Sequence, residues 1–200
     1  MKGARFRSIE NVIEEIRYLK QRFGIDSVLF SDELVVVSKK RVYELCDRIK
    51  ELDIIWGCQG RSNNVDIDIL KYMKNSGCVY VGFGIESGSQ KILNNMNKGV
   101  TVEQNENAIR NTLNVGLTPV IQMIFGYPGE DMETIRETVN LLKSVHSSIP
   151  LPNSVQPHLN LITPLPGSEL YKQALEDGLI KDEDEYLSKI EVGYTGDSPV

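Results

Sequence analysis

Val79-Tyr80-Val81-Gly82-Phe83-Gly84-Ile85-Glu86-Ser87-Gly88-Ser89-Gln90 is the stretch on which the fold turns. The run from Val79 to Ile85 is apolar or glycine throughout, short, and rich in β-branched and aromatic side chains, so it reads as a strand. A strand with no polar interruption fits a parallel sheet buried on both faces. It stops in Glu86-Ser87-Gly88, and a short helix over 89–96 follows. Strand, polar turn and helix in that order make one β/α unit.

The same unit repeats on either side. Toward the N-terminus, apolar residues at helical spacing (Ile9, Val12, Ile13, Ile16, Leu19, Phe23) predict a helix over 8–23, with Ser8 as cap and Gly24 as stop. A strand over 27–30, a helix opened by Ser38 with Val42, Leu45, Cys46, Ile49 and Leu52 on one stripe, a strand over 54–58 and a helix over 66–76 follow. Toward the C-terminus come a helix over 101–115 with Thr101 and Gln104 as a capping box, a strand over 119–125 and a helix over 131–146. A strand over 156–162 and a helix over 168–177 complete the series. Five strands thus alternate with helices, and parallel strands need such crossovers. The series opens on a helix with no strand to cross over from, so a first strand is expected upstream of Met1. Residues 1–180 read as one partial barrel carrying strands 2 to 6 and lacking strand 1. Residues 181–200, acidic and then Gly- and Pro-bearing with no strong period, read as a linker or the start of a C-terminal extension.

The 200 residues are 40% hydrophobic and 25% charged, the composition of an ordinary globular domain. A net charge of -6 gives no broad basic field, so nucleic acid is not indicated as a partner. No run of eighteen apolar residues occurs and MKGARFRSIEN lacks the apolar core of a signal peptide, so no membrane partner and a cytoplasmic location are expected. Cys46, Cys58 and Cys78 have eleven and nineteen residues between neighbours, matching neither a disulfide framework nor a zinc pattern. They form no metal site by spacing; Cys46 and Cys78 read as buried thiols, and Cys58 has no partner base. His146 and His158 lack the spacing of a ligand pair.

In parallel β/α folds the chemistry lies just after the strands. Those positions are Ser31, Asp32 and Glu33; Gln59 and Arg61; Glu86 to Gly88; Gly126 to Glu130; and Thr163 to Ser168. A carboxylate at Glu86 can accept hydrogen bonds from sugar hydroxyls or an ammonium group; it can equally cap the next helix or pair with a neighbouring base. Arg61 and Lys98 are cations placed to hold a carboxylate or phosphate. The alternative reading makes Lys98 a plain surface lysine and Arg61 an ion-pair partner of Asp32, Glu33 or Glu86.

RFRSIENVIEEIRYL, FSDE, GIESGSQKILNNMNKG, FGYPGEDMETIRETV and TPLPGSELY, in that order over residues 5–178, resemble the radical SAM superfamily. The branch in question includes cobalamin-binding members, methylthiotransferases and oxygen-independent coproporphyrinogen oxidases. The resemblance implies a partial (βα)6 barrel of TIM type holding S-adenosylmethionine and a [4Fe-4S] cluster. Reductive cleavage of S-adenosylmethionine, the small-molecule partner, there gives a 5'-deoxyadenosyl radical that abstracts hydrogen from a substrate whose class the residues do not specify. It also implies an electron donor such as flavodoxin or ferredoxin and, for this branch, a cobalamin domain upstream. Carried over by motif, Glu86 with adjacent Ser87 resembles the acid that contacts the ribose or methionine moiety, and Lys98 the cation that meets the methionine carboxylate. Gln122 resembles a ribose contact, Phe125 and Gly126 the adenine motif, and Thr163 and Pro164 the adenine side after the last strand. Arg61 matches a basic position facing either S-adenosylmethionine or substrate.

One departure stands out. The family's CxxxCxxC loop, whose thiolates ligate three irons, should closely precede RFRS, where only MKGA stands. The expectation is an N-terminally truncated barrel that is inactive alone; a degenerate barrel without a cluster, serving as a SAM-binding or protein-interaction module, is the alternative. An ordinary barrel enzyme using Asp32 and Glu86 for acid-base work is a third reading.

Overall fold

Parallel pairing joins five strands in sequential order: β1 Ser27–Leu29, β2 Ile55–Gly60, β3 Cys78–Glu86, β4 Thr118–Phe125 and β5 His158–Leu161. Strands that never reverse their order, successive ones joined by crossover helices, make the partial TIM-type barrel rather than a doubly wound sheet. The computed structural model describes residues 6–32, 35–146 and 157–194; Glu33, Gln156, residues 1–5 and residues 195–200, named above, lie outside them. Two compact units divide at Leu161/Ile162.

In the first unit the helices are α1 Ile9–Phe23, α2 Lys39–Lys50, α3 Ile67–Asn75, α4 Gln90–Asn95, α5 Val102–Asn114 and α6 Met132–His146. Their ends are set by the expected chemistry. Ser8 Oγ accepts from the Asn11 amide, Ser38 Oγ from that of Arg41, and Asp66 from those of Asp68 and Ile69. Thr101 and Gln104 cap α5 reciprocally. Gly24 closes α1 at φ 67°, a left-handed conformation that glycine adopts without strain.

Strand parity divides the sheet into two unlike faces. Trp56, Cys58, Val81, Phe83, Ile85, Ile121 and Met123 are buried in one core with the apolar stripes of α1, α2, α3, α5 and α6. Full burial of such side chains contributes about 1.5–3 kcal/mol each. The opposite face carries Gly57, Gln59, Gly82, Gly84 and Gln122, in register across the sheet. This second face is the less buried one: Gly57 and Gly82 are buried on it, whereas Tyr80, Gly84, Val120, Gln122 and Ile124 are partly exposed. Strand β2 runs two residues past Cys58, so Gln59 and Gly60 belong to the sheet, paired with Gly82 and Phe83.

The second unit holds α7 Glu169–Glu176 and α8 Glu183–Tyr194. Tyr171, Ala174 and Ile180 form its small core with Leu175 and Tyr186 against them. Tyr186 Oη donates to the Pro164 carbonyl at 2.8 Å, and Tyr171 Oη to Glu183 at 3.1 Å. The segment read as a linker or the start of a C-terminal extension holds α8, on which Tyr186 and Ile190 are half-buried; an acidic first turn of Glu183, Asp184 and Glu185 suits its N-terminus.

At Gly88 the chain passes so close to α6 that a Cβ would lie 2.5 Å from Thr138 Cα. Thr138 Oγ1 accepts from the Gly88 amide at 2.9 Å and lies 3.2 Å from Ser87 Oγ, all fully buried. Thr138→Val keeps the shape and removes the acceptor. It should lower stability by about 1–3 kcal/mol in urea denaturation; an unchanged midpoint would show that the contact is dispensable.

Candidate functional site

At the carboxyl end of β3 the register shifts between Gly84 and Glu86, and Glu86 takes φ 63°. The Ser87 amide donates back to the Ile85 carbonyl at 2.8 Å, closing a three-residue turn centred on Glu86. A non-glycine residue there costs on the order of 1 kcal/mol or more, a strain that concentrates at functional positions. The turn lays the carboxylate back over Gly84, where a Cβ would collide with Glu86 Oε1 and stand 3.0 Å from Lys98 Nζ.

Lys98 donates to Glu86 Oε1 at 2.5 Å, and the two side chains are only 27% and 14% exposed. The Lys98 backbone is held in turn: its carbonyl accepts from Arg61 Nη2 at 2.5 Å, and that of Gly99 from Asn63 at 3.5 Å. Arg61 Nε is buried with no partner among the described residues. A donor left unpaired costs about 1–3 kcal/mol, so it marks a place where an acceptor is wanted.

These groups border one cavity of about 310 Å³, together with Ser31, Gln59 and Gln122. It has a charged end (Arg61, Glu86, Lys98) and a neutral one, where the Gln59 and Gln122 amides have no hydrogen-bond partner among the described residues. Such a bipolar cavity can hold a ligand that carries both charges at one end and hydroxyls at the other.

The structure therefore brings together Arg61, Glu86, Lys98 and Gln122 of the residues named from sequence. Ser87 faces away, fully buried, its hydroxyl accepting from the Ser89 amide and meeting Thr138. Phe125 packs half-buried on the core, and Gly126, at φ 86°, donates its amide to Glu130 at 2.6 Å; neither lines the cavity. Thr163, exposed, and Pro164, half-buried, belong to the second unit. Arg61 makes none of the ion pairs weighed with Asp32 or Glu86. Gln59, read only as a strand-end position, and Gly84, read as a glycine that lets a backbone or ligand approach closely, line the cavity too, with Ser31, Gly60, Ser62 and Val100. Strand parity is the signal that finds Gln59, two positions before Arg61 and opposite Gly82.

Whether these residues suit the two expected cofactors has two answers. The unpaired Arg61 Nε, the Gly84 cradle and the opposed charges fit S-adenosylmethionine. Nothing among the described residues fits a cluster: no group of three or more His, Cys, Asp or Glu converges. Burial pushes the Cys46 thiol up to about 11 and that of Cys78 to about 12, and raises Cys58 well above its ordinary value. Thiols so raised stay protonated at neutral pH and are poor iron ligands. In the folded protein at pH 8 all three should resist iodoacetamide, and all three should react once guanidinium unfolds it. Rapid native-state alkylation of any one would contradict the burial.

The description "Radical SAM superfamily" matches residues 1–142. An uncharacterized methyltransferase of Pyrococcus horikoshii is 34% identical over 182 residues, 89% of this chain and 38% of its own length. The anaerobic magnesium-protoporphyrin IX monomethyl ester cyclase of Rubrivivax gelatinosus is 27% identical over 84% of this chain and 30% of its own. The chain thus spans about a third of the length of these relatives. Among solved structures, the radical S-adenosylmethionine methyltransferase TsrM of Kitasatospora setae superposes with a TM-score of 0.68 at 19% identity, covering 80% of this chain and 30% of that one. Coproporphyrinogen III oxidase of Escherichia coli gives 0.60 at 13%, covering 90% and 47%. These last two are likenesses of fold, and they agree with the sequential parallel sheet. On the family match and the Pyrococcus relative, this chain belongs to the radical SAM superfamily.

Proposed function

We propose that this barrel is the S-adenosylmethionine-binding core of an enzyme that reductively cleaves the cofactor to methionine and a 5'-deoxyadenosyl radical for substrate modification. The observation that carries the reading is the Glu86–Lys98 pair folded over Gly84 beside the unpaired Arg61 Nε. The amino-acid end of S-adenosylmethionine is a zwitterion. Lys98 and Arg61 suit its carboxylate, Glu86 its ammonium group or the ribose hydroxyls, and Gln122 the ribose. Phe125 and Gly126 are the proposed adenine side. The residues' work is to bind and orient the cofactor and to exclude water from it.

The cluster ligands are proposed to lie outside the described residues, as are a cobalamin-binding domain and the docking site of a flavodoxin- or ferredoxin-type donor. The methyltransferase and cyclase names of the relatives support modification of an organic substrate. With its three cysteines buried, the barrel acting alone is expected to be inactive.

The test is anaerobic iron-sulfur reconstitution of the full-length protein and detection of 5'-deoxyadenosine. Its absence from a fully loaded protein would overturn the reading in favour of a barrel that binds without catalysis. Glu86→Ala should weaken S-adenosylmethionine binding about tenfold to a hundredfold, as expected for a charged hydrogen bond, without unfolding the barrel. Gly84→Ala should do the same by driving its methyl into the ion pair. A large loss of melting temperature with unchanged affinity would assign both residues to stability alone.

A further inference from the structure

We infer that Asn105, inside α5, is a positioning residue that sets the ends of β2 and β3 so that Arg61 and Glu86 face one ligand. The inference deepens the S-adenosylmethionine reading and rests on it for the ligand's identity.

Asparagine is a poor helix-interior residue, and Asn105 is fully buried, so its retention there needs a use for its amide. Both ends are used. Nδ2 donates to the Ile85 carbonyl at 3.1 Å, and Oδ1 accepts from Ser62 Oγ at 2.5 Å. The Ile85 carbonyl also closes the turn at Glu86 by accepting from Ser87, so both its lone pairs are engaged. Fixing that carbonyl fixes the peptide plane preceding Glu86, and with it the direction of a side chain whose φ of 63° is already unfavourable. Ser62 is buried and follows Arg61 directly, so the same amide ties down the segment that aims the unpaired Nε.

The third charge is referred to the same helix. Lys98 lies on the loop that enters α5, and Gln90 brackets that entry by donating to the Val100 carbonyl at 3.3 Å and accepting from the Val102 amide at 3.1 Å. Asn105 lies one turn inside the cap at Thr101, so α5 is the common support for Arg61, Glu86 and Lys98. A plain core hydrogen bond would lower stability when removed and leave the site's energetics untouched. A positioning residue acts through Glu86 and Arg61.

The test is a double-mutant cycle on the full chain with S-adenosylhomocysteine as probe, read by calorimetry. Asn105→Leu, nearly the same shape, should weaken binding about tenfold, and Ser62→Ala, which spares the Ile85 contact, by less. In a Glu86→Ala background, Asn105→Leu should add less than about twofold, because the group it positions is gone. Equal weakening in both backgrounds, or none in either, overturns the inference. A ligand-free arm separates it from the functional reading. The melting-temperature shifts of Glu86→Gln and Lys98→Met should be non-additive in the wild type and additive with Asn105→Leu. If the wild type does not bind the probe, the cofactor reading fails and this arm alone decides, with coupling retained in Asn105→Leu overturning the positioning role. Where Asn105→Leu does not fold, Asn105→Ser takes its place in both cycles.

Discussion

The parallel pairing of β3 with β2 on one side and β4 on the other fixes the side to which every residue of the central strand points. Val81, Phe83 and Ile85 enter the helix-covered core; Gly82, Gly84 and Glu86 stand on the open face. There, each glycine gives way to a side chain from beside it. A Cβ at Gly57 would strike the Tyr80 ring, one at Gly82 the Gln59 amide, and one at Gly84 the Glu86 carboxylate. Gly84 lines the cavity, and the Gln59 and Glu86 side chains that fold over Gly82 and Gly84 form part of its polar wall, so core and site are two consequences of one register.

The charged end follows from the same geometry. A partly buried carboxylate and ammonium would each be costly alone, and pairing Glu86 with Lys98 offsets much of that cost. A zwitterionic ligand can exchange one internal pair for two external ones, leaving no charge unmatched. The net gain is then smaller than either new contact suggests, and selectivity comes from the requirement that both charges arrive on one molecule. Arg61 differs, because its Nε has no partner among the described residues to give up.

Much of this was legible in the sequence. Helix caps, glycine stops and apolar stripes are local chemistry, and Ser8, Gly24, Ser38 and the Thr101–Gln104 box act where they were read. Glu86 and Arg61, read as strand-end positions, do line the cavity, although β2 runs two residues past its expected end. Three things were not. The helix Glu183–Tyr194 has too weak a stripe to announce itself in an acidic segment. Ser87 sits beside Glu86 in the chain but turns inward to Thr138, since the turn at φ 63° sends neighbouring side chains opposite ways. Asn105 looks like any polar residue on an amphipathic helix. Its partners, Ser62 and the Ile85 carbonyl, meet it only through the tertiary fold.

The central claim is that the charged end of the cavity recognises the amino-acid end of a sulfonium cofactor. Comparing S-adenosylhomocysteine with 5'-methylthioadenosine, which lacks the ammonium and carboxylate, tests it most directly. The wild type should bind the former more tightly by about tenfold or more, and Lys98→Met should erase most of that preference. Equal affinity for the two ligands in the wild type, or a preference that survives Lys98→Met undiminished, would contradict it.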